Sequence, residues 1–451
     1  MTKEEHMSII KQQLVEIFDS ALRAVDPCNA VKKAIRILDH KLIADRLAYE
    51  LHEFRKIVVV GAGKGTAPMA QAVEDILGNR IDDGVIIVKY GHTRPLNRIR
   101  EIEASHPLPD EAGVKGTEEI IEILKEVDEK TLVICLLSGG GSALLVSPAE
   151  GISLKDKQIT TDLLLKSGAS IDELNAVRKH LSRVKGGKLA SIAYPATVIS
   201  LILSDVIDDR LDVIASGPTV PDRSTFMDAV KAIEKYNLVN KLPNKVLSML
   251  LDGTAGKLPD TPKAGEDCFK KGSTVIVGSL RQALNAASNE AEKMGFDMEF
   301  VTDKLQGEAS EAAKYLADIS IVVKNSMKNG RPKCLISGGE TTVAVKGSGL
   351  GGRNQELALA FALEIEGKNG ITMLSVGTDG TDGSTDAAGA IVDGETVVLA
   401  KKFGLDPVEY LKNNDSYNFF KKLDYHTGPR NHLVIGPTGT NVMDVQIIVV
   451  E

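Results

Sequence analysis

Three features of the sequence predict an α/β protein: short β-branched runs alternate with longer helical patterns, the strands are too uniformly apolar for a wetted face, and glycine-rich loops follow them. Strands of that kind belong in parallel sheets covered by helices on both sides.

In chain order, the stretch from about Lys3 to Leu47 carries helical spacing (Leu14, Ile17, Phe18, Leu22) and is expected to pack as helices against the first sheet. RKIVVVG reads as a strand followed by the helix GTAPMAQAVEDILG, in which Met69, Val73, Ile76 and Leu77 share a face and Gly78 is a C′ residue. DDGVIIVK, KTLVICLLSGG and ATVISLILSD read as further strands. Between about Asn240 and Gly272 the pattern breaks into a stretch rich in glycine, proline, lysine and aspartate, which places the domain boundary there: 1–265 and 266–451. The second α/β unit is expected to open with STVIVGS at Ser273, continue through RQALNAASNEAEKMG, MEFVTD and EASEAAKYLADI, and end in DVQIIVV.

The chain has 451 residues, too many for one ordinary core, and 43% are hydrophobic, which suits a soluble globular protein. A formal charge of −8 gives no overall attraction to nucleic acid or to an anionic membrane, so a small-molecule partner is expected. MTKEEHMSIIKQQ lacks the apolar core of a signal peptide, and a cytoplasmic location is the expectation. Cys28, Cys135, Cys268 and Cys334 form no C-x-x-C pair and read as core thiols.

Four glycine-rich loops directly follow apolar strands: VVVGAGKGTAPMA, ICLLSGGGSALL, CLISGGETTV and MLSVGTDGTDGSTDAAGA. At the carboxyl ends of strands such loops form the ligand crevice, so Gly61, Gly63, Gly65, Ser138, Gly139, Gly140, Gly141, Ser142, Gly338, Gly339 and Glu340 are candidates for substrate or nucleotide contact. GAGKGT is neither a dinucleotide fingerprint nor a P-loop, yet Lys64 at a strand-to-helix turn makes an anion site; a tight turn with a solvated lysine is the plainer alternative. LLSGGGSALL is not a nucleophile elbow, because its serines flank the glycines; close approach to a polar ligand and a structural crossing both remain open.

Asp379 and Asp382 do not have calcium-loop spacing and read either as ligands to a phosphate-linked Mg²⁺ or as turn and helix caps. In GLGGRNQELALA, Arg353 and Asn354 open a helical run after a glycine pair, and Asn354 is a further candidate for substrate or nucleotide contact. Arg178, Lys179, His180, Arg183, Lys185 and Lys188 cluster in LNAVRKHLSRVKGGKLA; phosphate recognition is one reading, and a solvated helix face is the preferred one for most of them. Asp205, where a buried strand ends, suits a base that takes a hydroxyl proton, a metal ligand or a cap. Cations, carboxylates and glycine loops, without a serine triad, are the set expected for phosphoryl transfer.

Ten motifs in register, GAGKGTAPMA, SHPLPD, LLSGGGSALL, LNAVRKHLSRVKGGKLA, LSDVIDD, ASGPTVPD, ISGGETTV, GGRNQELALA, VGTDGTDGSTDAAG and GPTGTNVMD, give the chain a near full-length resemblance to the class II glycerate kinases, whose C-terminal part is called the MOFRL domain. The resemblance implies a larger Rossmann-like domain and a smaller MOFRL-type one. It further implies ATP- and Mg²⁺-dependent phosphorylation of D-glycerate, commonly to 2-phosphoglycerate, in an interdomain cleft, and it allows a homodimer. Carried over by motif, Lys64 would neutralise charge on the transferring phosphoryl, Arg353 would reach the glycerate carboxylate or that phosphoryl, and Asp205 would orient or deprotonate the glycerate hydroxyl. Asp379 and Asp382 would take magnesium. Alanine at Lys64 or Arg353 is then expected to cut turnover with little change in melting temperature. Hydroxypyruvate reduction, or sugar-acid or nucleotide binding without catalysis, are the competing functions.

Overall fold

The structure, a computed structural model, describes residues 3–327, 330–428 and 431–451. It divides into two compact units, Pro27–Val277 and a second made of the residues up to Asp26 with Gly278–Glu451.

The unit Pro27–Val277 opens with a three-stranded antiparallel sheet, β1 (Ile35–Leu38), β2 (Lys41–Ala44) and β3 (Leu47–Glu50). Helical spacing was expected here, but residues 35–50 are three four-residue strands joined by turns in which Asp39, His40 and Asp45 take positive φ. The main sheet holds β4 (Lys56–Ala62), β5 (Asp83–Lys89), β6 (Arg100–Ala104), β7 (Thr131–Leu137), β8 (Thr197–Leu203) and β9 (Ser273–Gly278), in the order β6-β5-β4-β7-β8-β9. β4 runs parallel to β5 and β7, β5 to β6, and β7 to β8. All seven residues of β7 are buried, as the apolar run LVICLL after Thr131 requires. Helix Thr66–Leu77 forms as expected, with Met69, Val73 and Leu77 in the core and Gly78 at φ +53 ending it.

The chain moves outward from β4 through β5 to β6, then returns to lay β7 on the other side of β4. Strand order therefore reverses between β4 and β7, and a doubly wound sheet opens its ligand crevice at that reversal.

In the other unit the second sheet runs β10-β11-β15-β12-β13-β14, from β10 (Asp297–Glu308), β11 (Lys333–Thr342), β12 (Ile371–Gly377), β13 (Gly389–Asp393), β14 (His432–Leu433) and β15 (Asp444–Val450). It is mixed rather than parallel: among the described residues only β10 and β11 pair in parallel, while β15 lies antiparallel between β11 and β12. The consequence is useful. β11 and β12 point the same way, and Asp444 at the start of β15 pairs with Gly339 on one side and Gly377 on the other.

Two boundaries differ from expectation. β9, placed at the head of the second domain by its sequence, is the sixth strand of the first sheet beside β8, so the division falls after Val277. Helix Lys3–Ala24 belongs to the C-terminal unit, where Ile10, Leu14, Ile17, Phe18 and Ala21 are buried and the helix packs on Leu280–Lys293, β12 and β15. An amphipathic stripe states that a helix has a partner but not which one. Of the cysteines, Cys135 and Cys334 are core thiols, and burial pushes both up to about 12; Cys28 and Cys268 lie only half-buried.

Removing residues up to Asp26 should strip apolar cover worth about 1.5–3 kcal/mol per large side chain from the C-terminal unit alone. Hydrogen exchange should then speed up at β12 and β15 amides and stay slow at β4 and β7; faster exchange confined to β4 and β7 would contradict the packing.

Candidate active site

At the strand-order reversal, the loops after β4 and β7 are stitched together. The Lys64 N–H donates to Gly139 O (2.8 Å) and the Ser138 N–H to Ala62 O (3.3 Å). Ser138 Oγ accepts the Gly65 N–H at 3.0 Å and lies 3.1 Å from Thr66 Oγ1, all of it buried. Gly63, at φ +148, makes this approach possible: a Cβ there would stand 2.0 Å from Ser138 Oγ. The residue after Gly63 is Lys64, so the glycine and the serine together fix where the lysine leaves the backbone.

Gly140, at φ +82, is the second close approach, since a Cβ on it would meet His106 Cδ2 at 2.8 Å and Lys64 Cγ at 3.4 Å. Two imidazoles therefore adjoin Lys64. His106 lies two residues beyond β6, and burial, with Lys64, Lys89 and His92, pushes its pKa down to about 4. His92 is likewise lowered, first by burial and then by Lys89, although a hydrogen bond to the Lys64 backbone opposes the shift. Asp205, half-buried, follows β8 at the same edge of the sheet.

Several candidates serve the fold instead. Gly61 lies inside β4, where a Cβ would come within 2.3 Å of Leu136 O, so its bareness lets strands pack. Gly141 stands against Ala215, and Ser142 Oγ meets Ser216 Oγ at 2.8 Å. The basic cluster is not a solvated face: Lys179, His180 and Lys185 are at most 3% exposed. Lys179 pairs with Asp222 (2.9 Å) and His180 with Asp260 (2.8 Å); the Lys185 ammonium donates to Ser142 O and that of Lys188 to Ser182 O. Interior carbonyls and carboxylates can absorb lysines in this way. Lys157 donates to Leu181 O nearby, and burial, with Arg178 and Lys188, pushes it down to about 7.

In the C-terminal unit the corresponding place is the edge where β11, β15 and β12 meet. CLISGGETTV is not a loop, because β11 continues to Thr342. Gly338 and Gly339 admit Leu280 and the Leu305 backbone, at 2.8 and 2.1 Å from their would-be Cβ atoms. Arg353, at the head of helix Arg353–Glu364, grips Asp444 through Nε (2.5 Å) and Nη2 (3.1 Å), and Glu340 through Nη1 (2.8 Å). Burial works against the charge on Arg353, but the two carboxylates more than offset it, so the guanidinium stays protonated. Asp444 is raised to about 6 by burial, against the pull of Arg353. It went unassigned in the sequence although it closes the motif GPTGTNVMD; an aspartate opening an apolar strand was its only signal. Truncating Arg353 would leave Asp444 buried without its partner, so the expectation of an unchanged melting temperature is corrected for this residue.

Asp382 caps a helix, the alternative to a magnesium ligand. It is 2% exposed; Oδ1 accepts the Asn354 N–H (3.1 Å) and Nδ2–H, while Oδ2 accepts the Gln355 N–H (2.9 Å) and Nε2–H (3.0 Å). All four acceptor positions are spent capping a helix whose own N-cap, Gly352, has no side chain. Gly352 is bare for that reason, since a Cβ would stand 2.3 Å from Asp382 Cγ, and Gly383 is bare because Gly351 O would lie 2.2 Å away. Asn354 is 2% exposed and also accepts the Ser375 hydroxyl (2.8 Å), so it is part of the brace. Gln355 Oε1 meets His432 Nε2 at 3.2 Å, and Glu356 accepts from Asn414. Asp379 is half-buried, with Oδ1 accepting the Thr381 N–H at 3.2 Å.

Each unit thus presents a cation at the carboxyl ends of its strands, held by a glycine that admits a polar side chain, which is the architecture of an anion-handling α/β enzyme. Family models match residues 13–251, as a domain of unknown function (DUF4147), and residues 333–444, as the MOFRL family. The chain is 44% identical to the D-glycerate 2-kinase of Thermotoga maritima, over 97% of this chain and 98% of that protein. It is 42% identical to the glycerate 2-kinase of Pyrococcus horikoshii, over 98% and 97% respectively. The crystal structure of glycerate kinase from Thermotoga maritima matches with a TM-score of 0.85 at 42% identity, covering 98% of this chain and 100% of that one. The chain belongs to the glycerate kinase family with a C-terminal MOFRL domain, and it is a kinase. No helix among the described residues is long and apolar enough to cross a membrane.

Asp382→Ala should cost about 3 kcal/mol in denaturant unfolding, because two backbone and two side-chain donors lose their buried acceptor; a cost under about 1 kcal/mol would show that the cap is dispensable. Lys157 has a folded pKa below its unfolded value near 10.4, so its full stability is present above that value and is lost as pH falls to about 7. Lys157→Met should therefore be the more stable protein at pH 7, by about 2 kcal/mol, and the gap should close by pH 10. A pH-independent gap would contradict the buried ammonium.

Proposed function

We propose that the chain is a D-glycerate 2-kinase, transferring the γ-phosphoryl of ATP to D-glycerate to give 2-phosphoglycerate with Mg²⁺ as cofactor. The observation that carries this reading is Lys64, fixed at the strand-order reversal by Gly63 and Ser138, in a chain similar over nearly all its length to two proteins named as glycerate 2-kinases.

In the transfer, a hydroxyl oxygen of glycerate forms the new bond to the γ-phosphorus, the bond from that phosphorus to its bridging oxygen breaks, and the hydroxyl proton leaves to a base. Lys64 neutralises the charge that spreads over the phosphoryl oxygens, the dominant contribution in reactions of this kind. Asp205, at the end of β8, is the proton acceptor. Arg353, whose plane is fixed by Asp444 and Glu340, offers its remaining N–H groups to the glycerate carboxylate.

Among the described residues no three His, Cys, Asp or Glu side chains converge on a metal position. That fits magnesium, which keeps waters and phosphate oxygens and needs only one or two carboxylates. Asp379 is the residue assigned to hold it, and the ion would supply charge neutralisation at the phosphates. Hydroxypyruvate reduction fits less well, because β5 ends in Lys89 and Tyr90 where a nicotinamide-nucleotide site places an acidic residue.

Incubation with D-glycerate and Mg-ATP should release ADP and give a product whose phosphorus NMR signal is that of 2-phosphoglycerate. NADH oxidation with hydroxypyruvate, or neither reaction, would overturn the reading. Lys64→Ala should lower kcat about 10³-fold at an unchanged melting temperature, whereas Arg353→Ala should lower both. Normal kcat in either variant would remove that residue from the mechanism.

A further inference from the structure

SHPLPD is a motif of the sequence to which no role has yet been given. Its histidine leaves the end of β6, the edge strand, yet the ring comes to rest against the bare Cα of Gly140, beside the Lys64 stem and past β5 and β4. Among the described residues no hydrogen bond reaches either ring nitrogen of His106 from within the chain. The ring is half-buried. Lys64, Lys89 and His92 are the charged and titratable groups that bear on it, and none of them is an anion.

Forming an imidazolium among lysines is disfavoured, so an imidazole in that company is a poor base. It can donate a ring N–H. We propose that His106 is a substrate-contacting residue that donates a ring N–H to an oxygen of the same phosphoryl that Lys64 neutralises. The inference rests on the assignment of Lys64 to that phosphoryl. Uncharged imidazole donors suit a site that already holds a lysine: they add directional hydrogen bonding without a second positive charge to be desolvated.

Steady-state kinetics of His106→Ala and His106→Gln, with Lys64→Ala beside them, test the proposal. His106→Ala should lower kcat about 100-fold while KM for ATP and for D-glycerate changes less than about threefold, the signature of a donor that matters most in the transition state. His106→Gln, whose side-chain amide also donates, should recover kcat to within about tenfold of the parent. The parent-to-alanine ratio should stay flat between pH 5.5 and 9, because the ring is neutral throughout. A ratio that shrinks toward one as pH falls below 7 would make His106 a base and overturn the proposal. So would His106→Ala with parental kcat, or a loss of activity matched by a fall in melting temperature and not rescued by glutamine. If Lys64→Ala is itself fully active, the assignment of Lys64 fails with it; if only Lys64→Ala is impaired, the fault lies with His106 alone.

Discussion

A polar side chain placed where a Cβ would otherwise be is the constraint on which the cation of each unit depends. Ser138 Oγ fills the space beside Gly63, and the Asp382 carboxylate fills the space beside Gly352. In each case the next residue is the cation, Lys64 or Arg353. An alanine at either glycine would have to displace a buried, fully hydrogen-bonded group, and buried polar groups are costly to strip of their partners. Much of the glycine in these motifs is therefore spent on protein approaching protein. What a ligand meets is the side chain that the interlock aims.

The two units reach this result from different sheets. Parallel strands put β4 and β7 side by side at the reversal of strand order, the ordinary place for a ligand in a doubly wound fold. The mixed sheet has no such reversal, but β15 running antiparallel between β11 and β12 sets Asp444 between their two ends, where it takes Arg353 bidentately. A guanidinium held by two carboxylates has its plane fixed, at the cost of burying Asp444, whose pKa is raised by that burial.

What was legible in the sequence follows from the range of the forces involved. TLVICLL and DVQIIVV announce buried strands because each carries a run of β-branched and other apolar residues, broken only by Thr131 in the one and by Asp444 and Gln446 in the other. Helix Thr66–Leu77 announces itself by spacing and by Gly78. Residues 35–50 did not, since four-residue strands with exposed positions carry too short a pattern to read against a neighbouring helix. The RKH run looked like surface because polar residues usually are; only coordinates reveal that Asp222 and Asp260 stand opposite it, as Asp382 stands opposite the first turn of RNQE. His106 and Asp444 were inside quoted motifs yet unassigned, because their partners are Gly140 and Arg353, far away in sequence.

The account stands most directly on the environment of one amine. Lysine acetylation followed by mass spectrometry, with and without Mg-ATP and D-glycerate, reports it for every lysine at once. Labelling of Lys64 should fall at least tenfold when both substrates are present, while exposed lysines such as Lys125 and Lys166 are labelled as before. Equal labelling of Lys64 under both conditions, in enzyme that is turning over, would contradict the account.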